Sequence, residues 1–595
     1  MQTPNGELAR TVSRDLLPFV ERPGQYIGGE VGSVRKKWDA AAVRFCLAFP
    51  DTYAIGMSHL GSAIIYHLLN ARDDTLCERT FAPWVDAQRR MREAGIPLFS
   101  WESRRPVRQF DIVGFSLQYE MLYTNVLSML DLAGIPVLAS ERSEDDPLIL
   151  GGGPGVNNPE PMAAFLDLAF IGDAEETLPR LTERLARLKA GGANRSDRIL
   201  TLAREFECLY APGFIEPTWN ADGTLAALET KVSGLPERTV AAHVGDLETA
   251  FFPTTPIVPN TEVVHDRITI EIMRGCPRTC RFCESGRTKG PARYRSPERI
   301  LALALACYAN TGQEEISLTS LSPSDHPRLK AILTTLDAEF APKGVSLSLP
   351  SLRTNDQLEV VPRLLGSVRK SGLTMVPEAA LPRLRHIIGK PLEDEHLFAG
   401  ARQAWARGWN IIKLYFMIGL PGETDEDISA IARLARRISD LRRESKNGPG
   451  RVNLAVSNFV PKPHTPFQFV PMASADYLLG ARRMLYEACP ERRLNLRIHR
   501  VDRSILEGVL ARGDRRVGLA VYEAWRAGAQ FDAWDETLNV DAWQTGFKAA
   551  GVEPGFYAHR ARGETEVLPW DRVDVGSPRD ILWDEYQKAL ADAAG

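Results

Sequence analysis

Three cysteines lie within eight residues, in the run Arg274-Gly-Cys276-Pro-Arg-Thr-Cys280-Arg-Phe282-Cys283-Glu-Ser-Gly286. Thiolates hold iron–sulfur clusters, and four of them saturate a [4Fe–4S] cube. Three on one short loop leave one iron open, as an enzyme needs if its cluster is to bind a substrate or second cofactor. A zinc knuckle is the competing reading, but zinc takes a fourth Cys or His at short spacing. The next histidine is His326. Cys276, Cys280 and Cys283 are therefore read as the metal ligands and catalytic centre. Cys46, Cys77, Cys208, Cys307 and Cys489 are scattered among apolar or helical neighbours and read as small buried hydrophobes.

The triad follows an apolar strand, ITIEIM (268–273), and five more such runs come after it. They are EISLTSL (315–321), VSLSLPSL (345–352), GLTMVPEAA (372–380), NIIKLYFMIGLPG (410–422) and VNLAVSNFVPKP (452–463), with helical segments between. Six βα repeats predict a partial (β/α)6 TIM-type barrel over 263–500, with the chemistry at the C-terminal ends of its strands. An earlier α/β series, 38–200, alternates AVRFCLAFP, DIVGFSLQ and PLILGGG with helices such as HLGSAIIYHLLNAR. That pattern predicts a Rossmann-like, parallel, doubly wound sheet with its ligand edge after Pro50, Ser116, Gly151 and Gly172. Residues 1–37 read as an arm, 201–262 as a Pro-rich irregular connector, and 501–595 as a small α+β C-terminal region.

The C-x3-C-x2-C spacing directly after a first barrel strand resembles the radical SAM superfamily. The resemblance implies that the open iron chelates S-adenosylmethionine and that one electron releases a 5′-deoxyadenosyl radical. It places Phe282 near the adenine, Ser351 and Arg353 at the ribose and carboxylate, and Glu378 at a ribose or amino contact. The superfamily's acid after the second strand is replaced here by Ser317-Leu-Thr-Ser320. Lys413 and Tyr415 are expected to face the cavity, and His464, in the Pro-rich loop after the sixth strand, to be structural.

The first domain resembles the cobalamin-binding domains that precede the barrel in class B radical SAM proteins. His59, Ser116, Gly151 and Gly152 then become candidate cobalamin contacts. The family's D-x-H-x-x-G motif is not intact: Met57-Ser58-His59-Leu60-Gly61 keeps the His but lacks the Asp and the correctly placed Gly. The QYIGGE arm and the RGDRR and FDAWDE tail segments look closest to a poorly characterised family of B12-binding-domain radical SAM proteins.

Apolar residues make up 44% and charged residues 25% of the 595, as in a globular protein. No apolar run approaches the ~20 residues of a membrane span, and the N-terminus lacks a signal-peptide pattern. The expectation is a cytoplasmic enzyme served by a flavodoxin, ferredoxin or reductase. A net charge of −4 gives no general support to nucleic-acid binding. The eight arginines of Arg492–Arg516 are the one basic stretch, read as a solvated, salt-bridged helical surface. Three functions follow: cobalamin-dependent methylation of an unreactive carbon, a cobalamin-independent rearrangement, cyclisation or methylthiotransferase-like modification, or a non-catalytic RNA- or ribosome-binding scaffold.

Overall fold

The computed structural model of the chain describes residues 6–349 and 372–594. Its first sheet has the strands β1 (Val43–Phe49), β2 (Thr75–Phe81), β3 (Ile112–Ser116), β4 (Leu148–Gly152), β5 (Leu168–Phe170) and β6 (Leu209–Tyr210), in the order β2-β1-β3-β4-β5-β6. All pair in parallel except β6, which closes the edge antiparallel to β5. Helices Leu60–Asn70, Tyr123–Leu132 and Thr177–Ala190 cross over between strands, as their spacing predicts. With helices on both faces the strands are almost wholly buried, hence their continuous apolar runs.

β2 is the strand that sequence reasoning passed over. Glu78 and Arg79 interrupt its apolar pattern, yet every residue in it is buried. The charges are paired internally: Arg79 reaches Glu102 at 2.6 Å and Glu30 at 3.1 Å, and the Ser103 hydroxyl donates to Glu78 at 2.6 Å. Glu30 belongs to the N-terminal arm, so the same pair staples the arm down. Gly28, at φ +60°, lets the arm pass over Trp101, where a Cβ would fall 2.2 Å from the Trp101 carbonyl oxygen.

The segment 201–262 was expected to be irregular and is not. It holds β6, the hairpin β7 (Ile215–Trp219) and β8 (Leu225–Thr230), and β9 (Thr239–Val240), which pairs with Val573–Asp574 of the C-terminal region. Strands this short, set among prolines, give too few residues for a period to register.

The barrel forms two parallel arcs. β10 (Ile268–Glu271) leads into the small hairpin of β11 (Met273–Arg274) and β12 (Arg293–Tyr294); β13 (Glu315–Thr319) and β14 (Ser346–Ser348) follow β10 in the first arc. The second arc is β15 (Leu373–Glu378), β16 (Ile411–Ile418), β17 (Arg451–Asn458) and β18 (Leu494–Ile498). β18 is a seventh parallel strand inside the arginine-rich stretch, which is therefore not simply helical. Of its eight arginines Arg492 and Arg497 are exposed and only Arg512 is buried, and the salt bridges expected there are present. Arg493 pairs with Asp440 at 2.5 Å, Arg503 with Asp535 at 2.9 Å and Arg515 with Glu160 at 2.9 Å, while Arg512 is fully buried and donates to the Val470, Ala558 and Arg560 carbonyls. Arg512 and Arg515 thereby tie the C-terminal region to the barrel and to the first domain.

The C-terminal helices Val501–Arg512, Arg515–Arg526 and Val540–Ala550 pack back on the first domain. The buried Asp532 accepts from the Thr124 hydroxyl at 2.5 Å and the Trp543 indole at 2.9 Å, and the Trp534 indole donates to Asp51 at 3.1 Å. No helix among the described residues is long and apolar enough to cross a membrane.

Arg79→Met leaves two buried carboxylates without their cation, a change that typically costs about 3–5 kcal/mol. Chemical denaturation followed by circular dichroism should show a lower midpoint for this variant; an unchanged midpoint would mean that the arm and β2 are not held by the pair.

Candidate active site

The cysteine loop is closed by its own hairpin. Gly275, at φ +81°, precedes Cys276, and a Cβ there would fall 2.5 Å from the Lys289 and 2.7 Å from the Pro291 carbonyl oxygen, so only glycine closes the turn. Cys276, Cys280 and Cys283 are half-buried and none is in a disulfide. Cys283 caps the helix Glu284–Thr288, its sulfur accepting the Gly286 N–H at 3.4 Å. Burial pushes the Cys283 thiol up to about 11, and the neighbouring Cys280 and Cys276 push the same way. Arg281 pins the outer side of the loop: its N–H donates to the Ile388 carbonyl at 2.9 Å and its guanidinium to Ile387 and Asp592, both at 2.8 Å. Phe282 packs against the apolar cluster of Ala379, Ile387 and Phe467.

Among the described residues no three His, Cys, Asp or Glu side chains converge as ligands of one metal ion. A cube held by three thiolates does not ask for such convergence, because each sulfur takes a different iron. Three reduced thiols on one loop, close enough for each charge to be felt by the next, fit a [4Fe–4S] cluster.

Glu378 ends β15 with φ +66°, after a register shift between Met375 and Glu378. A non-glycine residue in the left-handed region is uncommon, and such strain concentrates at functional sites. Lys390 donates to its carboxylate at 3.0 Å, and Gly389 lies against the Thr279 carbonyl of the cysteine loop. The charge on Glu378 is felt at Cys283. The two expected polar contacts Ser351 and Arg353 lie outside the described residues. Lys413 and the 42%-exposed Tyr415 alternate with buried residues of β16, on the strand face away from the helices. His464 is buried, its Nε2 3.0 Å from the Asn157 carbonyl oxygen, a structural tie between the barrel and the first domain.

Between the two sheets lies a cavity of about 570 Å3, or about 1890 Å3 counted out to its open mouth. The first domain lines it with His59, Ser116, Gln118 and Gly152; the barrel does so with Glu271, Arg274, Ser317 and Ser320. Gly152 has no atom within 3.8 Å of where a Cβ would stand, so the cavity reaches its backbone, whereas Gly151 turns the other way and lets Leu166 and Val156 close in behind. His59 caps the helix Leu60–Asn70, Nδ1 accepting the Ser62 N–H at 3.0 Å, and burial lowers it to about 4, so the ring is neutral. The Gln118 amide donates to the Ser116 hydroxyl at 2.9 Å. Among the described residues the buried Ser320 hydroxyl has no hydrogen-bond partner, at the position where the superfamily's acid was missing.

The model described as the Radical SAM superfamily matches residues 270–435, which hold the cysteine loop, and that of Radical SAM proteins, N-terminal, matches residues 61–212. The chain is a radical SAM protein. Its relatives include an uncharacterised protein of Methanocaldococcus jannaschii, 24% identical over 72% of this chain and 83% of that one. A tRNA-2-methylthio-N(6)-dimethylallyladenosine synthase of Sorangium cellulosum is 24% identical over 52% of this chain and 66% of its own. Among solved structures, the radical S-adenosylmethionine methyltransferase TsrM of Kitasatospora setae, with cobalamin and a [4Fe–4S] cluster bound, has a TM-score of 0.52 at 13% identity, covering 85% of this chain and 99% of that one. At that identity the likeness is one of fold: a Rossmann-like sheet followed by a radical SAM domain. As a radical SAM enzyme the chain works with a [4Fe–4S] cluster and S-adenosylmethionine.

Two features of this radical SAM site went unnoticed among the candidate residues. Arg274, two residues before Cys276, reaches Glu271 at 2.9 Å, Glu175 at 2.6 Å and Asp173 at 3.4 Å. Arg293 and Lys289 also meet Asp173, at 2.9 and 3.4 Å. Burial alone would raise the Asp173 carboxyl, but Lys289, Arg274 and Arg293 hold it well below the usual carboxylate range. The acids of Gly172-Asp173-Ala-Glu175 stand at a strand end of an α/β sheet, which was the available signal. Second, Lys462 lies between Glu120 at 2.6 Å and Glu507 at 2.8 Å, and although burial works against its charge the carboxylates keep it raised.

Anaerobically prepared protein should carry about four irons per chain with absorbance near ~400 nm. Cys280→Ala should lose nearly all of both, because two thiolates hold a cube poorly; full iron content in the triple alanine variant would contradict the assignment.

Proposed function

We propose that this enzyme binds cobalamin in the interdomain cavity and methylates an unreactive carbon of its substrate. The observation that carries the reading is the position of the cavity: its floor is the glycine- and hydroxyl-bearing strand ends of the first domain, and its far wall includes Arg274 and Gly275, which lead straight into Cys276. Backbone exposed at Gly152 and the hydroxyl of Ser116 suit close approach of a large planar ring and its polar periphery. When bound, the cluster and cobalamin supply reductive cleavage of S-adenosylmethionine and a transferable methyl group. The chain's own part is to hold and orient. Cys276, Cys280 and Cys283 carry the cluster; Phe282, Glu378, Ser351 and Arg353 bind S-adenosylmethionine, with Lys390 fixing the Glu378 carboxylate. His59, Ser116 and Gly152 meet the cobalamin, and Gly151 allows the packing that supports Gly152. The electron comes from a flavodoxin, ferredoxin or reductase of the reduced cytoplasm.

The sequence relationship to methylthiotransferases favours a second reading, sulfur insertion. The remaining cysteines speak against it: Cys46, Cys77, Cys208 and Cys307 are buried within the apolar cores, and Cys489 is half-buried on its own helix end. None is placed to hold a second cluster.

Incubated anaerobically with hydroxocobalamin and desalted, the protein should retain about one cobalamin per chain. Gly152→Phe should abolish retention while leaving the iron content intact. Failure of the parent protein to retain any would move the enzyme to the cobalamin-independent class. With dithionite and S-adenosylmethionine it should release 5′-deoxyadenosine; S-adenosylhomocysteine alone, formed without the cluster, would indicate polar methyl transfer instead. Glu378→Ala removes a charged hydrogen-bonding group, commonly about 1.5–3 kcal/mol, so the S-adenosylmethionine Kd should rise roughly 10- to 100-fold. An unchanged Kd would take Glu378 out of the site.

A further inference from the structure

A second cavity, of about 890 Å3, opens where the N-terminal arm, the loop after β1, the end of the connector and the C-terminal region meet. Its walls are aromatic: Tyr26, Trp84 and Trp534, with the two indoles edge to face at 5.4 Å. Two of their polar edges are engaged elsewhere, the Trp534 N–H by Asp51 and the Tyr26 hydroxyl by the Trp84 backbone N–H, each at 3.1 Å. What Tyr26 and Trp534 offer the cavity is mainly ring surface.

The charges around it are lopsided. Glu21, Asp86, Glu262 and Glu536 line the cavity, against Arg22 alone. Elsewhere in the protein carboxylates are commonly met by arginines, yet among the described residues none of these four has a cationic partner. Asp86 accepts only backbone N–H groups, from Glu21 at 2.8 Å and Ala87 at 2.7 Å. Two polar side chains in the wall are also unpartnered, their polar ends open on the cavity. Gln25 is 6% and Thr52 is 8% exposed, and among the described residues neither the Gln25 amide nor the Thr52 hydroxyl has a hydrogen-bond partner. Beside them the Thr261 hydroxyl is buried and, among the described residues, has no hydrogen-bond partner. Buried polar groups are nearly always satisfied, so these three side chains on one cavity mark a place for a ligand.

We propose that this cavity is a second binding site, and that it takes an organic cation on an apolar stem: a guanidinium or alkylammonium, as borne by an arginine or lysine side chain. Aromatic faces attract such cations, more so when water is excluded. The unpaired carboxylates supply the charge, and Gln25 and Thr52 the hydrogen bonds that orient the head group. Anionic ligands, RNA among them, are disfavoured by the same four carboxylates. The loop holding Thr52 continues into Ser58 and His59 of the cofactor cavity, so occupation of one site bears on a segment shared with the other.

Titration calorimetry on the full chain should compare agmatine, a blocked arginine-containing hexapeptide and the same peptide with glutamine in place of arginine. The guanidinium probes should bind and the glutamine peptide should not. Agmatine binding as tightly as the peptide identifies a free amine as the source of the cation, and a peptide at least tenfold tighter identifies a polypeptide. Glu262→Gln with Glu536→Gln, both at exposed positions, should weaken binding at least tenfold without altering the fold. Thr52→Ser, which keeps a hydroxyl, should bind as the parent does, whereas Thr52→Val should bind several-fold less tightly. No heat with either guanidinium probe, or equal binding by the double variant, would overturn the proposal. Neither result depends on whether the enzyme takes up cobalamin.

Discussion

The buried ion network around Asp173 is the interaction on which the arrangement depends. One carboxylate at the end of the first domain's sheet holds three cations, and all three belong to the hairpin that carries the cysteines. Glu175 and Glu271 complete the charge balance on Arg274. A buried network of this kind adds little net stability relative to an apolar interface, but it is costly to break and admits only one register. Here the register sets the C-terminal edge of one sheet against that of the other, with the cavity between them. Any cofactor in the first domain is thereby presented to the cysteine loop.

A second set of contacts serves the same geometry from outside. Arg515 on Glu160, Arg512 on the Val470 carbonyl, and Lys462 between Glu120 and Glu507 tie the C-terminal helices to both domains. The helix Arg579–Ala594 reaches the cysteine loop directly, through Glu585 and Asp592 on Arg281. The tail is therefore a clamp over the join and part of the site's support. The arm is held likewise, by Glu30 on Arg79 and by the turn at Gly28.

Much of this was legible in the sequence, for identifiable reasons. The cysteine spacing depends on local chain geometry alone, and the parallel strands are buried on both faces, so both leave plain marks. β2 left none, because Glu78 and Arg79 interrupt its apolar run; β18 did leave one, the alternation of Leu494, Leu496 and Ile498 with Asn495 and Arg497, but it lies inside a charge run that reads as helical. The strand-end position of Asp173 and Glu175 was legible, but their pairing with Arg274 was not, since these partners lie about a hundred residues from it and pair only once the domains meet. The same holds for the arginines of the tail: a charge run reads as a wet surface until the carbonyls that receive it are in view. Gly152 and Gly151 looked alike in sequence. Strand alternation separates them, one facing the cavity and the other its own domain's core.

The central claim is that Cys276, Cys280 and Cys283 carry a cluster with one iron open to S-adenosylmethionine. The electron paramagnetic resonance spectrum of the dithionite-reduced protein, recorded with and without S-adenosylmethionine, tests it most directly. The account predicts a reduced [4Fe–4S] signal whose g-values shift when S-adenosylmethionine is added, and no such signal in Cys280→Ala. A signal that S-adenosylmethionine leaves unchanged, or one that survives loss of the triad, would contradict it.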